Sequence, residues 1–274
     1  MASLLERLRE ALAPQYEVER ELASGGMGRV FLANDTMLDR LVAVKVLRPE
    51  AASPIAAKRF LQEARILARL SHPNVVPVHQ AGEMGESFYY IMDYVEGETL
   101  EECLERGPLP MQRVVQIGND LLAALQEIHE HGVVHRDVKP SNVFLAGERV
   151  LLGDFGIAKR IETSSPPLTE SGGFRIGTPG YMAPEQVDGA EVTPVTDIYA
   201  LGMVLYEALT GRKWSILTPS SVWPHTVGRL ARRSRKNGEI WSGVPRRLRH
   251  ALRTALEWAP KDRWPDAAAF RRAL

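Results

Sequence analysis

The sequence is poor in cysteine and has no apolar run long enough to cross a membrane. Cys103 is the only cysteine in 274 residues, so an internal disulfide is excluded and a reducing compartment is expected. The most apolar run, residues 198–206, is much too short to span a bilayer. Lysine plus arginine and aspartate plus glutamate each number 34, which argues against nucleic-acid binding. We therefore expect a cytoplasmic chain without membrane contact.

The N-terminal residues MASLLERLREAL also lack the apolar core of a secretory signal peptide. Four leucines recur there at helical spacing and share one face: Leu4, Leu5, Leu8 and Leu12. We expect residues 1–15 to form a helical extension that packs on the body of the protein, with a dimer contact as the alternative. The sequence leaves open that the chain is the cytosolic domain of a longer, membrane-tethered protein.

The order of the predicted elements divides the chain into two unlike parts. Strands are predicted over residues 16–22, 29–33, 41–47, 75–80 and 87–95, where apolar residues alternate or cluster. One helix is predicted among them, over residues 53–70. Further helices are predicted over residues 110–131, 195–210, 245–258 and 265–274. A strand-rich front part therefore joins a helical back part near residues 93–98.

A glycine-rich turn, LASGGMGRV, links the first two predicted strands at residues 22–30. Glycine permits positive φ and lets a backbone approach a ligand closely. The simplest interpretation of the turn alone is a β-hairpin connection. It is not a P-loop, because no Gly-Lys-Ser/Thr closes it, and the strand that follows disfavours a dinucleotide fold. A hairpin that covers phosphates is the alternative, and it needs support from elsewhere in the chain.

Two charged residues occupy positions where the pattern predicts apolar ones. Lys45 lies inside LVAVKVL, a strand that is apolar on both faces, so its ammonium group should be buried or at a cleft. Glu63 falls on the apolar stripe of the predicted helix beside Leu67. Because a buried charge needs a partner, we expect Lys45 and Glu63 to pair. The alternative is two edge residues that reach water.

The densest group of polar residues lies in VVHRDVKPSNVFL, residues 133–145, between apolar ends that predict strands. Five motifs follow the order and spacing of the protein kinases: the glycine turn, VAVK at 42–45, HRDVKPSN at 135–142, DFG at 154–156 and APE at 183–185. The chain therefore resembles a bacterial member of the eukaryotic-like serine/threonine protein kinase family.

The resemblance covers residues 16–274 and implies an α+β, two-lobed protein kinase fold. It implies a small antiparallel-sheet N-lobe with one main helix at 16–93, a hinge at 93–97 and a larger, mostly helical C-lobe at 98–274. The sequence departs from the family at Ala23, where the pattern has its first glycine. This departure implies a modest effect on nucleotide affinity rather than loss of activity.

The family's roles account for the mixed charges of residues 135–142. Asp137 resembles the base that orients the substrate hydroxyl and accepts its proton, and Lys139 resembles the cation that stabilises the transferring phosphoryl group. Lys45 would bind the α- and β-phosphates of ATP, with Glu63 holding it in position. The expected catalytic residues are therefore Asp137, Lys139, Lys45 and Glu63.

The same resemblance implies ATP as the cofactor, bound with Mg²⁺ or, as an alternative, Mn²⁺. Asn142 and Asp154 resemble the metal ligands. The carbonyl of Asp93 and the N–H of Val95 would hydrogen-bond the adenine edge. The complete expected cofactor-binding set is Leu22, Ala23, Ser24, Gly25, Gly26, Met27, Gly28, Val30, Ala43, Lys45, Met92, Asp93, Val95, Asn142 and Asp154.

The implied substrates are proteins with Ser or Thr acceptors, since a lysine follows Asp137 by two residues and Thr178 precedes the APE motif. The segment before APE is rich in Ser, Thr, Gly and Pro and resembles an activation segment; a surface loop with incidental hydroxyls is the alternative. Autophosphorylation is expected at Thr169 and Ser171, where Arg136 could pair with the added phosphate. A dimer that phosphorylates in trans is left open.

Other residues are expected to support this site rather than to react. His135 should pack and hydrogen-bond the loop instead of acting as an acid or base. Glu185 should form an ion pair with Arg263, and Asp197 should hold the loop backbone near residues 135–136. These three expectations also follow from the family resemblance.

Residues 211–243 match the family less well than the rest. Nine lysines or arginines and one acid, Glu239, lie between Arg229 and Arg253, and all five tryptophans follow residue 213. A solvated helix face with tryptophans in the core is the simplest interpretation, and a docking surface for a substrate or partner is the alternative.

Two further functional hypotheses compete with an active protein kinase. A pseudokinase would bind nucleotide or act as a scaffold without turnover, and a small-molecule phosphotransferase would use another acceptor. Retention of the charged and amide residues of the predicted site argues against the first: Lys45, Glu63, Asp137, Asn142 and Asp154. The peptide-docking pattern at residues 177–185 argues against the second.

Overall fold

The computed structural model describes residues 3–25, 28–47, 62, 64–85, 87–155, 179–214 and 240–274. These residues belong to two compact units. Unit 1 comprises the described residues up to 71 together with 76–96. Unit 2 comprises 72–75, 97–155 and the described residues from 179 onward.

Unit 1 contains one antiparallel sheet of five strands in the order β1-β2-β3-β5-β4. The strands are β1 (Tyr16–Gly25), β2 (Gly28–Asp35), β3 (Arg40–Leu47), β4 (Val78–Met84) and β5 (Ser87–Asp93). The central strand β3 is buried on both faces from Val42 to Leu47. This explains why its sequence is a continuous apolar run, interrupted only by Lys45, rather than an alternating pattern. The small antiparallel sheet expected in the front part is confirmed.

A short helix, α1 (Leu4–Leu12), packs against this sheet. Ser3 and Glu6 form a capping box that satisfies the first backbone N–H groups of the helix. Leu8 and Leu12 are buried in the core of the sheet. On the polar side, Arg9 donates hydrogen bonds of 2.8 Å to carbonyls of β1. Both apolar packing and backbone hydrogen bonds thus attach α1 to unit 1.

The position of the fourth strand was predicted wrongly by three residues. β4 begins at Val78 rather than at 75 and continues to Met84. Pro77 has no N–H to donate to a ladder, which delays the start of pairing. Val75 instead forms a parallel bridge with Leu152 and belongs to unit 2.

Unit 2 is mostly helical, as expected for the back part. Its helices are α2 (Leu100–Glu105), α3 (Met111–Glu130), α4 (Pro184–Asp188), α5 (Pro194–Thr210), α6 (Arg246–Ala255) and α7 (Ala267–Ala273). Its three-stranded sheet has the order β6-β7-β8, with β6 (Glu98–Thr99), β7 (Val143–Ala146) and β8 (Arg149–Leu152). The elements α2, α4, β6 and β8 were not predicted, because pieces of two to six residues carry almost no periodic signal.

The centre of unit 2 is α5, which is buried on every side from Thr196 to Ala208. Proline stands in its first turn, and Gly211, at φ 68°, ends it. None of the helices described is both long and apolar enough to cross a membrane.

Two of the tryptophans confirm the expectation of a core position. Trp214 and Trp241 are almost fully buried and pack against each other and against Tyr206. The Tyr206 hydroxyl donates a hydrogen bond of 2.6 Å to the carbonyl of Ile240. Trp223 and the basic residues 229–236 lie outside the described residues, so the docking alternative stays a prediction.

Candidate active site

The loop of residues 133–139 has no regular secondary structure, so the strand predicted at its first valines was wrong. Its backbone is held by a side chain instead. The buried carboxylate of Asp197, on α5, accepts hydrogen bonds of 2.8 Å from the N–H groups of both His135 and Arg136. The expectation for Asp197 is confirmed. His129, which sequence reasoning did not identify, also lies 2.8 Å from the Asp197 carboxylate through Nε2.

His135 is fully buried and joins two parts of the site. Its Nδ1 accepts a hydrogen bond from the Asp137 N–H at 3.3 Å, and Nε2 lies 3.1 Å from the Gly153 carbonyl. Its ring also packs on Phe155, with centroids 4.9 Å apart. Burial lowers the pKa of His135. A neutral imidazole with the proton on Nε2 satisfies both contacts, and this confirms the expected packing role.

Asp137 is buried, with 5% of its surface exposed. Two other predicted site residues, Lys139 and Asn142, contact its carboxylate. The Lys139 ammonium lies 3.0 Å from Asp137 Oδ2. The Asn142 amide nitrogen donates to the same oxygen at 3.2 Å and to the Asp137 carbonyl at 2.8 Å. It also donates to the backbone carbonyl of Asp154 at 3.3 Å. Asp137, Lys139, Asn142 and Asp154 are thus brought together within unit 2.

Two residues of this segment have backbone conformations that non-glycine residues rarely adopt. Arg136 has φ 68° and Asp154 has φ 58°. Such conformations cost on the order of 1–3 kcal/mol each and persist only where the surroundings fix them. The Arg136 carbonyl accepts a hydrogen bond of 2.9 Å from Gln186 on α4, in addition to the Asp197 contact to its N–H. The backbone of Arg136 is therefore held in this conformation by contacts from both α4 and α5.

The expected ion pair between Glu185 and Arg263 is confirmed. The guanidinium binds the carboxylate through two nitrogens, at 2.6 and 2.7 Å, and both residues are buried. Thr196 donates a further hydrogen bond of 2.8 Å to Glu185. The bidentate pair fixes α4, whose Gln186 contacts the loop of residues 133–139.

A cavity of about 520 Å³ adjoins the same loop within unit 2. Pro140 and Tyr181 line it, together with residues of α2 and of the end of α5. The Tyr181 hydroxyl donates a hydrogen bond to Glu207, whose pKa is raised by burial in spite of this bond. Charged residues of both signs line the cavity, and Pro140, which lines it too, directly follows Lys139 in the chain.

The nucleotide-binding residues expected in the front part lie on adjacent strands of unit 1. β1 carries Leu22, Ala23, Ser24 and Gly25; β2 carries Gly28 and Val30; β3 carries Ala43 and Lys45; β5 carries Met92 and Asp93. In the register of the sheet, Lys45 faces Val30 on one side and Tyr90 on the other. Lys45 is 6% exposed, which confirms that its charge is buried.

Gly28 is the glycine of the turn for which the structure gives a clear steric reason. Its φ is 154°, and a Cβ there would lie 2.2 Å from the backbone carbonyl oxygen of Val46. At Gly25, its partner in the register, a Cβ would meet nothing within 4 Å. The close approach of β2 and β3 therefore requires glycine at 28.

Several expected site residues lie outside the described residues: Gly26, Met27, Glu63, Thr169, Ser171 and Thr178. The pairing of Lys45 with Glu63 and the sites of autophosphorylation therefore stay predictions. Of the helix predicted over residues 53–70, the structure describes residues 62 and 64–70, of which 62 and 64–67 are helical.

The last residue of β5, Asp93, is held by contacts that sequence reasoning missed. Its carboxylate Oδ1 lies 2.7 Å from His79 Nε2 and 3.4 Å from Arg40 Nη1. Its N–H donates to the Pro77 carbonyl at 3.0 Å. Beyond it, residues 94–96 leave the sheet. His79 and Arg40 precede Asp93 by 14 and 53 positions in the chain. No sequence pattern relates residues so far apart, so only the register of the sheet could reveal these contacts.

The donor set of the cluster fits a hard divalent cation. The Asn142 amide oxygen and the Asp154 carboxylate are the oxygen ligands that Mg²⁺ prefers, and a site of one or two protein ligands completed by phosphate and water is usual for this ion. Among the residues that the structure describes, no group of three or more His, Cys, Asp or Glu side chains could hold a metal ion. Asn142 and Asp154 thus offer two oxygen ligands of the kind that such a cation prefers.

Comparison with known proteins identifies the class to which this fold and polar cluster belong. The protein kinase domain family model matches residues 16–272. The kinase domain of Mycobacterium tuberculosis PknI superposes with a TM-score of 0.73 at 32% identity, and the match covers 95% of this chain and 94% of that one. The chain therefore belongs to the protein kinase family and has the protein kinase fold.

Curated relatives include bacterial serine/threonine-protein kinases. PknA of Mycobacterium tuberculosis is 41% identical over 215 residues, which are 76% of this chain and 49% of PknA. PrkC of Bacillus subtilis is 39% identical over 204 residues, which are 73% of this chain and 31% of PrkC. The matched region is thus less than half of each relative.

Proposed function

We propose that this chain transfers the γ-phosphoryl group of ATP to Ser or Thr hydroxyls of proteins, with Mg²⁺ as the metal. One observation carries the proposal: Lys139 and Asn142 converge on the buried Asp137 carboxylate, on a loop whose backbone Asp197 fixes. A fixed base beside a fixed cation is what phosphoryl transfer requires, since this reaction depends mainly on positioning and charge stabilisation.

In this proposal Asp137 orients the acceptor hydroxyl and takes its proton. Lys139, 3.0 Å from Asp137 Oδ2, gives the buried carboxylate a charged partner and presents a positive charge to the phosphoryl oxygens. Asn142 donates to the same carboxylate oxygen through its amide nitrogen, which leaves its amide oxygen as a ligand for a cation. The three side chains therefore need little rearrangement before the reaction.

The metal would be held by Asn142 and Asp154, and when bound it would neutralise charge on the β- and γ-phosphates. The nucleotide residues named on β1, β2, β3 and β5 support ATP as the cofactor, with the buried Lys45 as the cation for its α- and β-phosphates. Glu63 is proposed as the partner of Lys45.

Acceptor proteins and regulation are also part of the proposal. The cavity beside Pro140 has room for side chains of an acceptor polypeptide. Autophosphorylation at Thr169 and Ser171 would add about −1.5 to −2 charges each, which Arg136 could pair. A dimer that phosphorylates in trans and a cytoplasmic location complete the proposal.

The decisive experiment compares the chain with its Asp137→Asn variant, using Mg-ATP labelled at the γ-phosphate and casein as a generic acceptor. We expect label on serine and threonine of the acceptor and of the chain itself, and a loss of about 10²–10⁴-fold in rate for Asp137→Asn. Asp188→Asn, the same change at an exposed residue of α4, is the matched control and should keep full activity.

Other outcomes would decide against the proposal. Binding of Mg-ATP with no labelled protein under any condition would make the chain a pseudokinase. Transfer of label only to a small-molecule acceptor would identify the chain as a small-molecule phosphotransferase. Equal rates for the wild type and Asp137→Asn would remove Asp137 from the role of base, whatever the acceptor.

A further inference from the structure

Asp93 ends β5 under more restraint than a strand end needs. Its backbone pairs with Val42 on β3, and its N–H donates to the Pro77 carbonyl. Its side chain is held as well, by His79 from β4 at 2.7 Å and by Arg40 from β3 at 3.4 Å. Side chains from β3 and β4, the two strands beside β5, thus contact the Asp93 carboxylate. Residues 94–96, which follow Asp93, lie outside the sheet.

The contact from Arg40 continues to a buried carboxylate at the other end of the β2–β3 turn. Arg40 Nε lies 3.7 Å from Asp35 Oδ2, and Asp35 is 3% exposed. The second oxygen of Asp35 accepts hydrogen bonds from the N–H groups of Met37 and Leu38, at 3.2 and 3.3 Å. Arg40 therefore also lies beside a carboxylate that the turn holds in place.

We infer that His79 and Arg40 form a clamp on the Asp93 carboxylate that positions the adjoining backbone for the adenine edge and favours ATP over GTP. The inference rests on the proposed function, in which the Asp93 carbonyl and the Val95 N–H bind the base. His79 and Arg40 are positioning residues, because they act through Asp93 and touch no part of the nucleotide in this proposal.

The chemistry of the two bases explains why rigidity here affects specificity. Adenine presents an amino group, a hydrogen-bond donor, at the position where guanine presents a carbonyl oxygen. A fixed carbonyl of Asp93 accepts a hydrogen bond from the amino group of adenine. Opposite guanine, the same carbonyl faces another acceptor oxygen, and no hydrogen bond can form between them. A carbonyl that can rotate away loses affinity for adenine and also loses much of its rejection of guanine.

The expected effect is moderate, because the clamp is partly exposed. The Asp93 and Arg40 side chains are 39% and 37% exposed, and that of His79 is 21% exposed. Solvent screening weakens ion pairs of this kind. We therefore expect loss of the His79 contact to raise the KM and Kd for Mg-ATP by about three- to tenfold, with kcat changed less than about twofold.

The test uses the whole chain with three changes at the clamp. His79→Leu removes the nitrogen that faces Asp93, His79→Gln keeps a nitrogen donor, and Arg40→Met keeps the length of the side chain without its charge. For each we would measure the Kd of Mg-ATP by calorimetry, KM and kcat with ATP and with GTP, and hydrogen exchange of the amides of residues 94–96 without nucleotide. His131→Leu removes an exposed histidine that also faces a carboxylate, Glu127 at 3.5 Å, and serves as the matched control.

A clamp predicts weaker ATP binding, a smaller preference for ATP over GTP and faster exchange at residues 94–96 in His79→Leu and Arg40→Met. It predicts recovery in His79→Gln and no change in His131→Leu. In an Asp93→Ala background, His79→Leu should add nothing, because the contact acts through the Asp93 carboxylate.

The failures of the two proposals can be told apart. Absence of ATP binding by the wild type would contradict the proposed function, and the exchange rates at residues 94–96 would still decide whether the clamp exists. Unchanged exchange and an unchanged ratio of ATP to GTP in His79→Leu would overturn the clamp while the wild type stays active. Should His79→Leu not fold, the same readouts on Arg40→Met and His79→Gln carry the decision.

Discussion

The loop of residues 133–139 in unit 2 and the sheet of unit 1 hold the expected site residues by different means. In unit 2 the loop has no strand or helix of its own, and buried charged groups support it. Asp197 binds its backbone, and the ion pair of Arg263 with Glu185 holds α4, whose Gln186 contacts the loop. In unit 1 the ladder hydrogen bonds of the sheet set the position of each residue, and α1 covers apolar side chains of the sheet.

The difference predicts different responses to mutation. A buried charge whose partner is removed stays desolvated. Removal of one charged partner that supports the loop should therefore lower the unfolding free energy strongly. Truncation of an apolar side chain in the sheet leaves a cavity that its neighbours partly fill. The loss of unfolding free energy there should therefore increase with the volume of the side-chain atoms removed. The loop of residues 133–139 thus depends on electrostatic partners, whereas the sheet of unit 1 depends on packing.

The largest effect is expected for Arg263→Met. This change leaves the Glu185 carboxylate buried without its cation, which should cost about 3–5 kcal/mol of unfolding free energy, measured by urea denaturation. The double variant Glu185→Met/Arg263→Met should recover much of this loss, because no uncompensated charge remains. Arg106→Met, which breaks an exposed pair with Glu98, is the control and should scarcely matter. If the double variant is as unstable as the single one, charge is not what supports the loop.

The next effect is expected for Leu8→Ala on α1. Leu8 is fully buried against the sheet, so its truncation should cost about 2–4 kcal/mol through lost packing and the cavity left behind. Leu4→Ala, at the half-buried end of the same helix, should cost clearly less. Thermal unfolding followed by circular dichroism would measure both changes. Equal and small losses for the two would mean that α1 contributes little to unit 1.

The same contrast explains what could be read from the sequence. Period-two alternation and continuous apolar runs predicted the strands of unit 1 and the burial of Lys45, because ladder geometry repeats every two residues. The loop carried no periodic signal, and its two valines led to a false strand. Its residues were found through resemblance to a family.

The support of the site was harder to predict than the site itself. Asp197 was expected only because the family has it, and its contact with His129 was missed. The group of His79, Arg40 and Asp93 was missed as well. Such contacts join residues far apart in the chain, and they depend on register and helix placement, which a single sequence does not specify.

A smaller effect, confined to unit 1, is expected for Gly28→Ala. The added methyl group would lie 2.2 Å from the Val46 carbonyl oxygen, so β2 must shift away from β3 at an expected cost of about 1–3 kcal/mol. Gly25→Ala, opposite it in the register, meets no atom within 4 Å and provides the matched control. Chemical denaturation of both variants would decide. Similar stabilities would show that the two strands can separate here without cost.

The smallest effect is the pH dependence contributed by His135, which tests the charge support of the loop without removing an ion pair. Burial lowers the pKa of His135, so the folded state keeps its imidazole neutral, whereas in the unfolded chain its pKa is about 6.5. The unfolded state therefore binds the extra proton below about pH 6.5, and the stability that neutral His135 contributes is present above that pH and is lost as the pH falls. A single proton can change the unfolding free energy by at most about 1.4 kcal/mol per pH unit.

His135→Phe lowers stability at pH 8 through its lost hydrogen bonds, but it should show a flatter decline between about pH 7 and pH 5 than the wild type, measured by urea denaturation at each pH. His131→Gln, at an exposed helix end, should keep the wild-type slope; an equal slope in His135→Phe would mean that the loop accommodates a charged imidazole and is less tightly fixed than its contacts indicate.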